Sequence, residues 1–158
     1  MDVKEIAQYF DSMTVCLSKG LAAPVGSLLL GSHKYIAKAR RWRKMVGGGM
    51  RQAGILAAAG KLALTEQVAQ LKIDHDNAYY LAQELNNLPG FSVNTQWVQT
   101  NIVFAKLEAD IDITSIAASL RQEGIIITPG NPLRLVTHKD ITRSDIETFL
   151  VKLKTMLA

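Results

Sequence analysis

Apolar and polar positions alternate along this chain in two rhythms, and those rhythms predict its elements. Short apolar runs bounded by turn residues, 14–17 and 27–30, predict strands, the first of them buried. A short helix is expected over 2–9. A longer one is expected over 33–45, with Ser32 as N-cap and Gly47, Gly48 and Gly49 as its stop. An Ala- and Gly-rich helix over 50–64, with a buried segment at 55–59, should pack closely on a neighbour. In the helix expected over 66–88, Val68, Leu71, Ala78, Leu81, Leu85 and Leu88 fall on one face, and Pro89-Gly90 end it.

Beyond Gly90 strands and helices alternate. Strands are expected at 91–93, 102–107 and 133–136, the last after the turn Pro129-Gly130-Asn131-Pro132. Asp112 or Thr114 caps a helix running to Arg121. A final helix, 143–157, buries Ile146, Phe149, Leu150, Leu153 and Leu157. It opens on Thr142 with Asp145 three residues on, a capping-box pattern. No internal repeat or low-complexity segment interrupts the chain.

Composition narrows the class. The 158 residues are 48% apolar and 20% charged, which suits a soluble protein with a substantial core. No apolar run is long enough to span a bilayer, and the charged N-terminal stretch does not resemble a cleavable signal. The single cysteine, Cys16, sits in an apolar run and is expected to be a small buried hydrophobe. These features point to the cytoplasm. The net charge is +4, with the basic excess between His33 and Arg51. Arg40, Arg41, Arg43 and Lys44 flank Trp42, a pattern open to nucleic-acid binding. Their interleaving with Tyr35, Ile36 and Ala39 at helical spacing reads instead as one amphipathic helix with a charged face, so neither a nucleic-acid nor a membrane partner is expected. His33, His75 and His138 have no metal-ligand spacing, and no metal is expected.

Two local patterns carry chemistry. Lys19 ends an apolar run and is flanked by Ser18 and Gly20. Its amine can form a Schiff base with an aldehyde, whereas the plainer alternative is a lysine snorkelling from a strand end. Gly47, Gly48 and Gly49 precede a helix and Arg51. Uncovered N–H groups running into a helix N-terminus suit an anion, whereas the plainer alternative is a flexible turn beside a surface arginine. An aldehyde-binding lysine and a phosphate site together point to pyridoxal phosphate.

Several segments resemble one family. Asp11-Ser12, Cys16-Leu17-Ser18-Lys19-Gly20 and Ala23-Pro24-Val25-Gly26-Ser27 are similar to the low-specificity L-threonine aldolases, which are fold-type I pyridoxal-phosphate enzymes. So are the stretches 40–45, 47–52 and 54–60, Asp74-His75-Asp76-Asn77-Ala78, and Arg134-Leu135-Val136-Thr137-His138. The resemblance covers nearly the whole chain but only the C-terminal half of the family's polypeptide. It implies an α/β fold. Residues 1–64 would hold the last strands of the large cofactor-binding domain and its connecting helices, and 65–158 a small α+β domain with a three-stranded antiparallel sheet. The first half of such enzymes supplies a glycine-threonine phosphate loop, a histidine stacked on the cofactor ring, an aspartate facing the pyridine nitrogen and a substrate-holding arginine. None of these has a match here, and a truncated or split gene product is expected.

By the same resemblance Lys19 is the catalytic lysine carrying the cofactor pyridoxal 5′-phosphate. Ser18 is a phosphate donor or a turn cap. Lys44 and Arg51 approach the phosphate, and an approach from a neighbouring subunit would imply an oligomer; Lys44 alternatively ends a solvated helix. Arg134 binds the substrate α-carboxylate, or is a surface arginine on a strand. His75 reads as helix surface or a packed polar contact, and His138 as a neighbour of Arg134. The reaction implied is cleavage of L-threonine or L-allo-threonine to glycine and acetaldehyde. The alternatives are an inactive remnant, one part of a split enzyme, or a basic binding module acting through residues 40–44.

Overall fold

A computed structural model describes residues 2–157. The chain divides into two compact units, Met1–Val68 and Ala69–Ala158.

In the first unit, α1 (Val3–Ala7) is capped by Asp2, whose carboxylate accepts from the Lys4 N–H at 2.9 Å. β1 (Ser12–Cys16) and β2 (Ser27–Gly31) form an antiparallel ribbon, Ser12 opposite Gly31 and Cys16 opposite Ser27. The burial expected of the 14–17 strand is met at Leu17 alone. All five residues of β2 are exposed, and β1 is at best half-buried. The only buried cluster of this unit among the described residues is small: Leu17, Ala23 and Ala63, flanked by Val15 and Leu21. It covers too little of a two-faced ribbon to hide Leu28, Leu29 and Leu30.

α2 (His33–Met45) starts where expected, its Tyr35 N–H donating to the Ser32 hydroxyl at 3.2 Å. α3 (Gly54–Thr65) starts four residues later than expected, because Gln52 takes a left-handed φ of 52° that a helix excludes. It buries only Gly60 and Ala63. The expectation of a buried 55–59 segment is therefore corrected: Ile55 is 84% exposed. A Cβ at Gly60 would lie 3.1 Å from Leu17 Cδ1, so the missing side chain gives Leu17 its place against α3.

The second unit holds the larger core. α4 (Gln70–Asn86), β3 (Phe91–Ser92), a 3₁₀ turn (Thr95–Trp97), β4 (Ile102–Leu107), α5 (Ile113–Gln122), β5 (Leu133–Val136) and α6 (Arg143–Leu157) follow in order. The three strands form an antiparallel sheet with β4 in the centre. Val103, Ala105 and Leu107 alternate inward and pack with Leu133 in one cluster with Ala78, Leu85, Leu120 and Leu153 of the helices. Asp112 accepts from the Thr114 and Ser115 N–H groups, both at 3.1 Å. Thr142 and Asp145 form the capping box reciprocally, at 2.8 and 3.2 Å.

The buried face of α4 differs from the one expected. Val68 lies outside the helix and is exposed, while Asp74 and Asn77 are buried. The Asn77 amide donates to the Ile141 carbonyl at 3.2 Å, and the Thr137 hydroxyl to the main-chain carbonyl of Asp74 at 2.6 Å. One Asp74 carboxylate oxygen accepts from Gln70 Nε2 at 3.0 Å, and the other is buried without a hydrogen-bond partner among the described residues. Apolar periodicity could not register a face built partly from polar groups.

Candidate active site

Lys19 sits in the ten-residue connection between β1 and β2. This connection is folded back on itself by main-chain bonds. The Leu17 N–H donates to the Gly26 carbonyl at 2.9 Å, the Ala23 N–H to the Leu17 carbonyl at 3.0 Å, and the Ala22 N–H to the Lys19 carbonyl at 2.8 Å. Ala22 adopts a positive φ of 56° to close that last turn. The compact loop turns Leu17 inward and leaves Ser18 and Lys19 exposed. No ion pair among the described residues engages Lys19.

Cys16 is exposed, which overturns the buried hydrophobe read from its apolar neighbours. Leu17 is the residue of that run that reaches the core. The Cys16 Sγ lies 3.4 Å from the Ser18 Oγ. Hydrogen bonds from the Ser18 hydroxyl and then its N–H hold the thiol below its ordinary pKa, helped by Ser27 and the charge of Lys19. The Ser18 hydroxyl, a candidate phosphate donor, thus already has a neighbour. Sequence reasoning missed this pair, although the spacing Cys16-Leu17-Ser18 was there to be read.

The glycine triplet does not form the expected cradle at a helix N-terminus. Gly47, at φ 87°, is the left-handed residue that closes α2. Its N–H donates to the Lys44 carbonyl at 3.3 Å, and the Gly48 N–H donates to the Arg43 carbonyl at 2.8 Å. Two of the three N–H groups offered for an anion are therefore spent on the end of the preceding helix. α3 begins five residues after Gly49, with no side-chain cap from Ala53. Lys44 and Arg51 both remain exposed and, among the described residues, outside any ion pair. The Lys44 side chain lies across Gly49, where a Cβ would fall 3.0 Å from its Nζ.

Charge separates sharply along the chain. Residues 1–68 hold ten of the eighteen Lys and Arg but four of the fourteen Asp and Glu, a balance of +6 that leaves −2 on residues 69–158. The first unit is thus suited to anions as a whole.

Arg134 belongs to the second unit. It stands on β5 opposite Phe104, exposed, between the inward-facing Leu133 and Leu135. It borders a cavity of about 540 Å³ along the free edge of β5, walled mainly by Ile125, Ile127, Leu135, Ile141 and Phe149. No ion pair among the described residues engages its guanidinium. His138, expected near Arg134, has its Nδ1 3.8 Å from an Asp140 carboxylate oxygen. His75 is half-buried on α4. No group of three metal-ligating side chains occurs among the described residues, and no helix is long and apolar enough to cross a membrane.

The beta-eliminating lyase family matches residues 1–108. The chain belongs to that family. Within it, the chain is a partial homologue of the low-specificity L-threonine aldolases. It is 45% identical over 157 residues to the low specificity L-threonine aldolase of Escherichia coli K12, covering 99% of this chain and 46% of that one. Low-specificity L-threonine aldolase 1 of Arabidopsis thaliana is 43% identical over 148 residues, covering 91% of this chain and 41% of its own length. The chain thus spans less than half the length of these relatives. Among solved structures, a Listeria monocytogenes protein described as an L-allo-threonine aldolase superposes with a TM-score of 0.80 at 17% identity, covering 98% of this chain and 47% of its own. The fold is α/β and corresponds to roughly the C-terminal half of a fold-type I pyridoxal-phosphate enzyme.

Proposed function

We propose that this chain carries the lysine-bearing part of a pyridoxal-5′-phosphate-dependent lyase that cleaves L-threonine or L-allo-threonine to glycine and acetaldehyde. The observation that carries the reading is Lys19, an exposed amine without a carboxylate partner among the described residues, presented by a tightly bonded loop. The donor set of the first unit fits the cofactor's two handles: a primary amine for its aldehyde, and the cations Lys44 and Arg51 for its phosphate. Loss of the glycine cradle shifts the phosphate role onto these side chains.

When bound, pyridoxal phosphate supplies the electron sink for breaking the Cα–Cβ bond. Lys19 Nζ would hold the cofactor through its aldehyde, and as a free amine it would be placed to carry a proton. The substrate hydroxyl loses one proton as the bond breaks, and Cα gains one as glycine forms, so a shuttling amine balances the reaction. Ser18 donates to the phosphate when it is not engaged with Cys16. Arg134 offers a planar pair of donors to the substrate α-carboxylate. A working oligomer, with Lys44 and Arg51 serving a neighbouring subunit, belongs to the same proposal.

A second reading has the chain working only alongside a further polypeptide, as one part of a split enzyme. The β1–β2 ribbon favours it, because β2 is exposed along its whole length.

Borohydride reduction of the chain with pyridoxal phosphate, followed by peptide mass mapping, tests the proposal. A single adduct on Lys19, absent from Lys19→Ala, followed by acetaldehyde release from L-threonine, is the expected result. Scattered labelling over the surface lysines would remove Lys19 from this role in the isolated chain. Lys19 labelling that appears only with an added N-terminal fragment would establish the second reading.

A further inference from the structure

β5 has only four residues, yet its outward arginine depends on its register. Strand side chains alternate with period two, so a slip of one residue would turn Arg134 toward the core and leave Leu133, now fully buried, on the outside. Four pairs hold the ladder, from Ile102 opposite Val136 to Ala105 opposite Leu133. Counting on in the same register, position 131 falls opposite Leu107, and Asn101 falls opposite Thr137.

An asparagine amide occupies each of these two places. At one end the Leu107 N–H donates to Asn131 Oδ1 at 3.1 Å, and Asn131 Nδ2 donates back to the Leu107 carbonyl at 2.9 Å. The side chain thereby reproduces the donor and acceptor of a strand residue where Pro132, lacking an N–H, breaks the run. At the other end Asn101 Nδ2 donates to the Thr137 carbonyl at 2.7 Å, and the Thr137 N–H donates to the Asn101 carbonyl at 3.0 Å. Both ends of a short ladder are thus closed by reciprocal pairs that a slipped strand could not make.

We infer that Asn131 and Asn101 are positioning residues that lock the register of β5 and so hold Arg134 on the outer face of the sheet; the functional part of this inference rests on the reading of Arg134 as a carboxylate anchor. An amide is required because each end needs a donor. Aspartate at 131 keeps the acceptor for the Leu107 N–H but sets a carboxylate against the Leu107 carbonyl.

The test uses the full ¹⁵N-labelled chain, with acetate as the probe. NMR reads two things: contacts between Phe104 and Arg134 across the strands, and the acetate-dependent shift of the Arg134 Nε–H. Asn131→Ala and Asn131→Asp are expected to weaken the Phe104–Arg134 contacts and to loosen acetate by about three- to tenfold, the range that one or two lost hydrogen bonds produce. Asn101→Ala should act in the same direction. Asn86→Ala is the control. It removes an equivalent bond to the Val93 N–H in the same unit, so it should lower stability but leave acetate affinity within twofold. Should Asn131→Ala fail to fold, Asn131→Asp decides. Retained cross-strand contacts with unchanged acetate affinity in the Asn131 variants, or an equal acetate loss in Asn86→Ala, would overturn the inference. Acetate binding that survives Arg134→Ala would instead sink the carboxylate reading, while the cross-strand contacts still decide whether the asparagines lock the register.

Discussion

The Lys44 side chain lies across Gly49 so closely that a Cβ at 49 would fall 2.5 Å from Lys44 Cδ. The glycine triplet therefore has two distinct tasks. Gly47 closes α2 in a left-handed conformation, while Gly49 leaves room for an ammonium group. These tasks separate experimentally. Gly47→Ala should lower the melting temperature, since a left-handed alanine costs roughly 1–2 kcal/mol. Gly49→Ala meets only a flexible side chain and should change stability by less than about 0.5 kcal/mol. It displaces Lys44, however, and should weaken pyridoxal-phosphate labelling at Lys19. Labelling in Gly49→Ala that matches the unmodified chain would remove Lys44 from the phosphate role.

Cys16 offers a pH reading of the Lys19 loop. Its thiol pKa is lowered first by the Ser18 hydroxyl, then by the Ser18 N–H, with smaller help from Ser27 and Lys19. A lowered pKa means that thiolate persists to lower pH than in an ordinary cysteine. The pH midpoint of iodoacetamide alkylation should therefore lie below that of a free cysteine. It should move up in Ser18→Ala and, by less, in Lys19→Ala. An unmoved midpoint in Ser18→Ala would mean that the pair does not persist in solution.

The caps of α5 and α6 predict how acid acts on the second unit. Asp112 is held below the ordinary carboxyl value of 3.8 first by the Ser115 hydroxyl and then by the Ser115 and Thr114 N–H groups. Asp145 is held below it by the hydroxyl and N–H of Thr142. A depressed folded-state pKa contributes stability that is present above the unfolded value and is lost as pH falls through the folded one. Melting temperature should thus decline as pH drops below about 4. Thr142→Ala should lower the melt at neutral pH and flatten that decline. A decline of unchanged steepness in Thr142→Ala would place the acid sensitivity elsewhere.

Short-range chemistry was legible in the chain itself. Ser32 on α2 and the Thr142–Asp145 box are caps made within three residues, so residue identity and spacing suffice to place them; on α5 they narrowed the cap to Asp112 or Thr114, and it is Asp112. The bounds of β4, β5 and α6 followed from period and punctuation. Lys19 stood out against its small and apolar neighbours, whereas Arg134 became the preferred carboxylate anchor only through the family resemblance. Tertiary structure decided what long-range contact decides. Leu17 rather than Cys16 faces the core, because the loop folds back and α3 presents a glycine to Leu17. Asn77 is buried because Ile141, more than sixty residues away, accepts from its amide, and the Thr137 hydroxyl reaches the main-chain carbonyl of Asp74 over a similar separation. Asn131, legible only as a turn residue, became a rung of the sheet once Leu107 stood opposite it. A hydrogen bond within one turn is written in adjacent residues; one that closes a loop of tens of residues exists only after the core has brought its ends together.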